Sequence, residues 1–385
     1  MGGRAQPGRW QYGRDPGQPG PRLVGILAAG AAILLFATVS DVRSEVLEEY
    51  LPAGFPSPVV PAENPLTAAK IELGRHLFFD TRLSVDGTFA CSTCHQPNHA
   101  FTDSRQRAIG VTGETHPRSS MSLTNVAFSV TLNWADPATR ELEEQMVIPM
   151  FSMAPVEMGL AGNEEEALSR LSEEPRYGPL FEQAFPGESE PISFDNIILA
   201  IASFERTLIS GTSPYDRYVY WDDREGFPAA ARRGMELFFS NKLRCSECHS
   251  GFNFSGPVLY EKGPSVDPVF HNTALYDLDG SGAYPPENRG IHQHTGNPGD
   301  MGRFRAPTLR NVALTAPYMH DGSIRSLEEV IAHYAAGGRS ADNPLKSELL
   351  TGFEISPAEV EDLVSFLESL TDKAFIMEPR FSNPW

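Results

Sequence analysis

Cysteine is scarce in this sequence, and long apolar runs, positive charge and strand-forming patterns are scarce as well. Only four cysteines occur in 385 residues, which excludes a small fold held together by many disulfides. Acidic residues outnumber basic ones by 50 to 31, and the formal net charge of −19 argues against binding nucleic acid through its phosphates. The 41% of hydrophobic residues and the length suit two folded domains. The 33 glycines and 32 prolines predict long ordered loops between helices.

The most apolar run lies near the N-terminus, over Leu23–Val39. It follows an arginine-rich stretch and is shorter than the roughly 20 residues that a comfortable membrane span needs. Residues 1–44 are therefore expected to be a secretory signal peptide or, as the alternative, an uncleaved N-terminal anchor. Either interpretation places the rest of the chain outside the cytoplasm.

Two copies of one pattern organise the remaining sequence. Gly74-Arg-His-Leu-Phe-Phe-Asp80 precedes the first cysteine pair, and Gly234-Met-Glu-Leu-Phe-Phe-Ser240 precedes the second. Each copy ends a stretch with helical periodicity, at 68–79 and 229–239, and leads by a loop into the cysteines. A repeat that carries the same motif in both copies indicates a duplicated module.

Three further helices are predicted from apolar periodicity and from capping signals. Ser193–Ser210 is strongly apolar at helical spacing. Ser326 and Ser356 each begin a capping box, and the first of these two helices is expected to end near Gly337. Residues 250–325 show few strand signals and are interpreted as one long loop region, which at that length is usually functional.

The four cysteines occur as Cys91-Ser-Thr-Cys94-His95 and Cys245-Ser-Glu-Cys248-His249. This motif attaches c-type haem, because the two thiols reach the vinyl groups of one porphyrin and the adjacent histidine ligates the iron. A zinc site and a disulfide are the alternatives. Export argues against a reduced-thiol zinc site, and the repeated histidine argues against chance. We predict two covalent haem c groups in a mainly α fold of two cytochrome-c-like domains, over residues 45–215 and 216–385, with long interface loops.

The residue on the other side of each iron decides between electron transfer and catalysis. An iron with ligands on both sides shuttles electrons, whereas one with an open side can bind peroxide. Candidate ligands after the second motif are Met319, His320, His333 and Tyr334. Spacing alone favours Tyr334 as a core aromatic of its predicted helix.

Two further segments are distinctive, at 73–84 (Leu-Gly-Arg-His-Leu-Phe-Phe-Asp-Thr-Arg-Leu-Ser) and at 304–322 (Phe-Arg-Ala-Pro-Thr-Leu-Arg-Asn-Val-Ala-Leu-Thr-Ala-Pro-Tyr-Met-His-Asp-Gly). Together with the haem motifs, they make residues 48–372 resemble the bacterial dihaem cytochrome c peroxidase/MauG superfamily. The segment 115–127 is most similar to the MbnH-like branch. That resemblance implies a periplasmic enzyme that uses hydrogen peroxide to oxidise a Trp side chain of a partner protein through a high-valent dihaem state.

The resemblance also implies a role for each matched residue. His95 would hold the haem at which peroxide binds. His249 and Tyr334 would ligate the iron of the electron-transfer haem. Gln145 and Glu157 match the distal pocket, although the segment before Glu157 is two residues longer than the peroxidase pattern.

Trp134 matches the tryptophan that lies between the two haems and supports electron transfer. A calcium ion between the haems is also implied, with the carbonyl oxygens of Thr315 and Pro317 as ligands. Asn125 is the substitute for the asparagine ligand of the family. MauG has an exit tryptophan shortly before its second haem histidine, and residues 240–244 contain none.

Alternative functions stay open at this point. A cytochrome c peroxidase would take its electrons from a small cytochrome or copper protein. A non-enzymatic dihaem electron carrier is the alternative of another class.

Two smaller interpretations concern basic residues. His116 lies near the histidine that peroxidases use when they need reductive activation, but its offset from Arg118 differs, so constitutive activity is expected. Arg303, Arg305 and Arg310 are interpreted either as partners of haem propionates or of neighbouring carboxylates, or as solvated surface residues.

Overall fold

The computed structural model describes residues 46–385, so the predicted signal peptide or anchor at 1–44 lies outside the described residues. Within residues 46–385, no helix is long and apolar enough to cross a membrane. The α-helices that lie wholly in this range are α1 (Ala68–Phe78), α2 (Cys91–Cys94), α3 (Leu142–Phe151), α4 (Glu164–Ser172), α5 (Tyr177–Ala184), α6 (Phe194–Glu205), α7 (Pro214–Tyr220), α8 (Ala229–Phe238), α9 (His292–Thr295), α10 (Leu327–Ala335), α11 (Pro357–Glu368) and α12 (Lys373–Ile376). The expected mainly α fold is confirmed.

In each of the two modules, two helices cross at a glycine. Gly74 of α1 lies against Ala200 of α6, and Gly234 of α8 lies against Asp362 of α11. A Cβ atom on either glycine would lie 1.9 Å from the carbonyl oxygen of the facing residue. Only glycine permits this approach of two backbones, which explains why the repeated pattern begins with that residue in both copies.

A second repeated feature is a left-handed asparagine in a loop of each module, whose backbone N–H is hydrogen-bonded to a distant carbonyl. Asn125 and Asn311 each adopt the left-handed conformation, with φ of 57° and 61°. The backbone N–H of Asn125 donates to the carbonyl of Leu208 at 2.8 Å, and that of Asn311 donates to the carbonyl of Leu370 at 3.0 Å. Both asparagines are followed by Val-Ala, so this second repeat is visible in the sequence, although the sequence analysis did not use it.

A buried polar network joins the two modules at Ser210. Asn125 exchanges two hydrogen bonds with the Ser210 backbone, at 2.7 and 3.0 Å, and also donates to Asn253 at 3.0 Å. Asn311 donates to the Ser210 hydroxyl at 3.0 Å, and that hydroxyl donates to Asp372 at 3.1 Å. All five residues are buried, so each of these hydrogen bonds replaces water that cannot reach the site.

The apolar interior forms two main cores that correspond to the modules. The first includes Phe78 of α1 and Phe204 of α6, and the second includes Phe238 of α8 and Phe366 of α11. The C-terminal segment departs from this division, because Phe375 packs in the first core. The division between residues 215 and 216 stays a proposal, with the segment from 373 onward assigned to the first core.

Most predicted helix boundaries agree with the structure to within a residue. The helix predicted over 193–210 ends earlier, at Glu205, because the following residues turn into the network around Ser210. The Ser326 hydroxyl caps α10, which ends at Ala335 before the left-handed Gly337. The loop region 250–325 contains one antiparallel pair that was not predicted, β1 (Phe270–Asn272) with β2 (Arg303–Arg305).

The glycine at the α8–α11 crossing provides a stability test. Gly234→Ala is expected to lower the free energy of unfolding by about 2 kcal/mol or more, because the added methyl group meets a backbone carbonyl that cannot move freely. The matched control is Gly178→Ala in α5, where nothing lies within 4 Å of the added Cβ. The control should raise the stability by about 0.5–1 kcal/mol. Denaturant unfolding followed by circular dichroism measures both; equal effects would contradict the proposed crossing.

Candidate haem and peroxide sites

The two motif histidines are held in the same way. Nδ1 of His95 lies 2.9 Å from the carbonyl oxygen of Phe101, and Nδ1 of His249 lies 3.0 Å from that of Phe254. A carbonyl can only accept, so Nδ1 carries the proton in the neutral ring and Nε2 keeps its lone pair. Burial lowers the pKa of both histidines, that of His249 to about 4. Both imidazoles therefore suit ligation of a metal through Nε2.

The four motif thiols remain protonated at neutral pH. Burial raises the pKa of Cys94 and Cys245 to about 12 and that of Cys248 to about 11. None of the four is paired in a disulfide. Over residues 46–385, no three His, Cys, Asp or Glu side chains are grouped so as to hold a metal ion. The zinc alternative therefore lacks a ligand set in this part of the chain.

A largely apolar cavity surrounds the second motif. Cys245, Cys248 and His249 line it together with Tyr334. Apolar side chains from three helices form further parts of the wall: Phe238 of α8, Leu327, Val330 and Ile331 of α10, and Leu363 and Leu367 of α11. Two thiols, one imidazole and an apolar wall are the surroundings that a covalently attached porphyrin requires.

Tyr334 has a polar atom that is free to ligate a metal, whereas its neighbour His333 does not. Both ring nitrogens of His333 are engaged by backbone groups, Nε2 with the Thr273 carbonyl at 2.9 Å and Nδ1 with the Arg339 N–H at 3.1 Å. The Tyr334 hydroxyl lines the cavity and has no hydrogen bond to any residue in the range 46–385. Burial raises the pKa of its phenol.

The two other candidates, Met319 and His320, line the same cavity near Trp134. The His320 ring stacks on Phe304 with a centroid distance of 3.7 Å and an interplanar angle of 11°. The Trp134 indole N–H donates to the carbonyl of Ser119 at 3.0 Å, and the Ser119 N–H donates to the His320 carbonyl at 3.0 Å. Trp134 is therefore held at the cavity wall by the same loop that contacts His320.

The three arginines after the second motif have different environments. Arg310 is fully buried and forms two hydrogen bonds with the equally buried carboxylate of Asp216. Arg303 lies at the surface beside an aspartate. Arg305 forms no ion pair among the described residues; its Nε has no hydrogen-bond partner, and its Nη2 lies 3.6 Å from the sulfur of Met121. A half-buried guanidinium without a carboxylate partner fits a group that carries carboxylates of its own, as the propionates of haem do.

Gln145 lies on α3, a helix that is fixed at its N-terminal end. Glu143 of α3 forms two hydrogen bonds with Arg206, at 2.7 and 2.6 Å, and a third with Asn64 at 2.7 Å. Gln145 is half-buried two residues further along the helix. The turn of α3 that carries Gln145 is therefore anchored by the ion pair between Glu143 and the buried Arg206.

Glu157 follows α3 and lies near the first haem motif. The backbone N–H of Met158 donates to the carbonyl of Pro149 in α3 at 3.0 Å, which holds the segment against the helix. Burial raises the pKa of the Glu157 carboxyl to about 7. Burial also raises the pKa of Cys94, and the charge of Glu157 contributes to that increase. An acid with this pKa is present in both protonation states at neutral pH.

Comparisons with known proteins decide the family. The family model for dihaem cytochrome c peroxidases matches residues 68–224. The methylamine utilization protein MauG of Methylophilus methylotrophus is 37% identical over 80% of this chain and 84% of its own length. Cytochrome c551 peroxidase of Pseudomonas aeruginosa is 31% identical over 93% of this chain and 94% of its own length. The chain belongs to the dihaem cytochrome c peroxidase family.

A solved structure supports this membership over nearly the whole described chain. A MauG-like protein associated with microbial copper homeostasis is 44% identical, with a TM-score of 0.85, and the match covers 87% of this chain and 98% of that one. The diheme peroxidase BthA of Burkholderia thailandensis, 20% identical with a TM-score of 0.64, shares the fold. The predicted resemblance is confirmed, and this family member is a peroxidase-type oxidoreductase whose family implies haem c cofactors.

The calcium site stays a prediction. Thr315 and Pro317 line the cavity around the second motif. Asn125 has a different explanation, because both polar atoms of its side chain bond to Ser210 and Asn253 in the network between the modules. That network accounts for Asn125 without an ion.

The sequence analysis missed one buried acid of the first module. Glu205 ends α6 with 5% of its surface exposed, and its Oε2 has no hydrogen-bond partner. At the first glycine crossing, Glu205 lies five residues after Ala200, the residue that faces the glycine. At the second crossing, Leu367 lies five residues after the corresponding Asp362. Because Leu367 lines the second haem cavity, Glu205 occupies the matching place in the first module. An acid that directly follows the apolar stretch 197–204 of α6 was the signal in the sequence.

This acid predicts a pH-dependent stability. Burial raises the pKa of Glu205 to about 8, so the folded protein holds this proton more tightly than the unfolded chain does. Between the unfolded pKa, near 4.5, and pH 8, rising pH therefore destabilises the wild type. Glu205→Gln should remove this loss and be more stable at pH 9 by about 2–4 kcal/mol, with little difference at pH 4.5.

Denaturant unfolding of the haem-loaded protein at both pH values measures the effect. The matched control is Glu182→Gln on α5, an exposed glutamate that should change the stability little at either pH. A pH-independent difference between Glu205→Gln and the wild type would contradict the prediction.

Proposed function

We propose that this protein uses hydrogen peroxide to oxidise a tryptophan side chain of a partner protein in the periplasm, as MauG-like enzymes do. The observation that carries the proposal is Tyr334, whose free hydroxyl lines the second haem cavity. In the resemblance stated above, a tyrosine at this place is typical of MauG-like members, whereas cytochrome c peroxidases have methionine. The 44% identity to a MauG-like structure favours the same branch.

Each residue then has a defined task. Bound haem would supply the iron that reduces peroxide and stores the oxidising equivalents. His95 and His249 would hold the two irons through Nε2, and the four motif cysteines would form the thioether links. Tyr334 would be the second ligand on the His249 side, and Arg305 would pair with a propionate.

Glu157 would transfer a proton between the two oxygens of peroxide. Its carboxylate form would accept a proton from one peroxide oxygen, and the resulting acid would return that proton to the other oxygen, which would leave as water. A pKa of about 7 keeps both the accepting and the donating form of Glu157 populated at neutral pH. The Gln145 amide would orient the peroxide by hydrogen bonding, and Trp134 would pass electrons between the modules.

One observation favours the alternative of a cytochrome c peroxidase that takes electrons from a small cytochrome or copper protein. Residues 240–244, ahead of the second motif, contain no tryptophan that could serve as the exit of MauG. The discriminating experiment adds peroxide to the haem-loaded protein, either with reduced cytochrome c or with a small exported protein encoded beside its gene. A mass gain on a tryptophan of that protein supports the proposal, and rapid turnover with cytochrome c alone supports the alternative.

The proton role of Glu157 predicts a selective loss. Glu157→Gln should lower the rate of peroxide reduction by about 10²–10⁴-fold, because the amide cannot carry the proton. The oxidised variant should keep the high-spin ferric signal in electron paramagnetic resonance that an open iron gives. The matched control is Glu144→Gln, an exposed acid on α3 that should leave the rate unchanged. A wild type without any high-spin signal would instead indicate the electron carrier.

The ligand role of Tyr334 predicts a change in the absorption spectrum. Tyr334→Met should produce the far-red band of a methionine-ligated ferric haem, because the thioether replaces the phenol at the second iron. Tyr334→Phe keeps the ring but removes the oxygen, so it should convert the second haem to a high-spin form. Unchanged spectra in both variants would exclude Tyr334 as a ligand.

A further inference from the structure

Residues 108–118 form a hairpin beside the first haem motif. The His116 N–H donates to the carbonyl of Ala108 at 2.8 Å, and the Ala108 N–H donates to that of Arg118 at 3.3 Å. Nearer the tip, the Gly110 N–H donates to the carbonyl of Glu114 at 2.9 Å.

The tip of the hairpin holds the backbone that carries Glu157. The Val111 N–H donates to the carbonyl of Glu157 at 2.8 Å, and the Glu114 carboxylate accepts the N–H of Val156 at 3.1 Å. A Cβ atom on Gly110 would lie 1.8 Å from the Val156 carbonyl oxygen, so the two backbones are in direct contact. The segment before Glu157 is two residues longer than the peroxidase pattern, and these contacts supply the support that a longer segment needs.

His116 reaches the Glu157 side chain itself. Its Nδ1 accepts the N–H of Arg118 at 3.2 Å, so the neutral ring carries its proton on Nε2. That Nε2 lies 3.7 Å from Oε1 of Glu157, which is longer than a hydrogen bond but close enough for an electrostatic contact. Burial, followed by the charge of Arg118, lowers the pKa of His116 to about 4, so the ring is neutral where the enzyme works.

The two other charged side chains near His116, those of Arg118 and Glu114, are engaged by other partners, so Glu157 is the charged group that Nε2 of His116 faces. The Arg118 guanidinium bonds to Asn288 at 2.9 Å and to Gln293 at 2.6 Å. The Glu114 carboxylate is engaged with the Val156 backbone. A neutral Nε2–H beside a carboxylate stabilises the ionised form of that carboxylate.

We propose that His116 is a positioning residue for Glu157: its Nε2–H orients the carboxyl group and favours the ionised form that accepts the proton of peroxide. The hairpin 108–118 is the element that brings the two side chains together. This inference rests on the proposed proton role of Glu157, but the contact itself can be tested separately.

The test compares three variants of the haem-loaded protein. His116→Phe removes the donor and keeps a ring, whereas His116→Gln keeps an N–H donor of similar reach. His294→Gln is the control, an exposed histidine on α9. The first readout is the carbonyl stretch of protonated carboxyl groups in infrared difference spectra across pH, with the Glu157 band identified by its loss in Glu157→Gln. The second readout is the pH profile of kcat/KM for peroxide.

In His116→Phe, the infrared titration of Glu157 and the matching limb of the kinetic profile should both move to higher pH by about one pH unit. His116→Gln should restore most of the wild-type behaviour, and His294→Gln should not differ from it. Identical infrared titrations in wild type and His116→Phe, or equal shifts in the Phe and Gln variants, would overturn the inference. If His116→Phe does not fold, His116→Leu takes its place with the same expectations.

The two proposals fail in different ways. An infrared shift without any effect of Glu157→Gln on peroxide reduction would leave the His116–Glu157 contact standing and reject the proposed proton role. A large effect of Glu157→Gln with no infrared shift in His116→Phe would do the reverse.

Discussion

The fold depends on the buried hydrogen bonds that meet at Ser210. One module contributes Asn125, the other contributes Asn311, and both side chains bond to the same serine. Asp372 accepts hydrogen bonds from the Ser210 and Thr212 side chains and from the backbone between them. Because water cannot replace these partners, a relative movement of the modules would leave several polar groups unsatisfied, at roughly 1–3 kcal/mol each. The distance between the two candidate haem sites is therefore constrained by a polar junction rather than by apolar packing alone.

The two modules share the same backbone arrangement but carry different side chains at their candidate haem sites. Each has a glycine at a helix crossing and a motif histidine held by a backbone carbonyl. The second cavity has Leu367 and the Tyr334 hydroxyl, whereas the first module has Glu205 at the place that matches Leu367 and Glu157 beside its motif. Duplication thus supplies two similar scaffolds, and a few side chains give them different chemistry. An acid suits proton transfer, and a phenol suits ligation.

Local patterns predicted the helices well because their causes are local. The apolar periodicity of α1 and α8, the hydroxyl caps of α10 and α11, and the left-handed Gly337 are all properties of neighbouring residues. The pairing of β1 with β2 joins segments about 30 residues apart and has no such local signal. The early end of α6 was missed for the same reason, since its cause is the distant Asp372 and Asn125.

By itself, the sequence was enough to predict two sites of covalent haem attachment, from its two Cys-x-x-Cys-His motifs. It was also enough to predict the family, which the comparisons confirm. Only the tertiary structure decided which other polar groups are available. It showed that Arg305 is half-buried without a carboxylate partner among the described residues, whereas the fully buried Arg310 is neutralised by Asp216. It also showed that, within residues 46–385, the ring nitrogens of His333 are occupied by hydrogen bonds, whereas the Tyr334 hydroxyl is not, and it placed His116 beside Glu157. The reason is physical: a motif is a property of adjacent residues, whereas the burial and partners of a side chain depend on segments that only folding brings together.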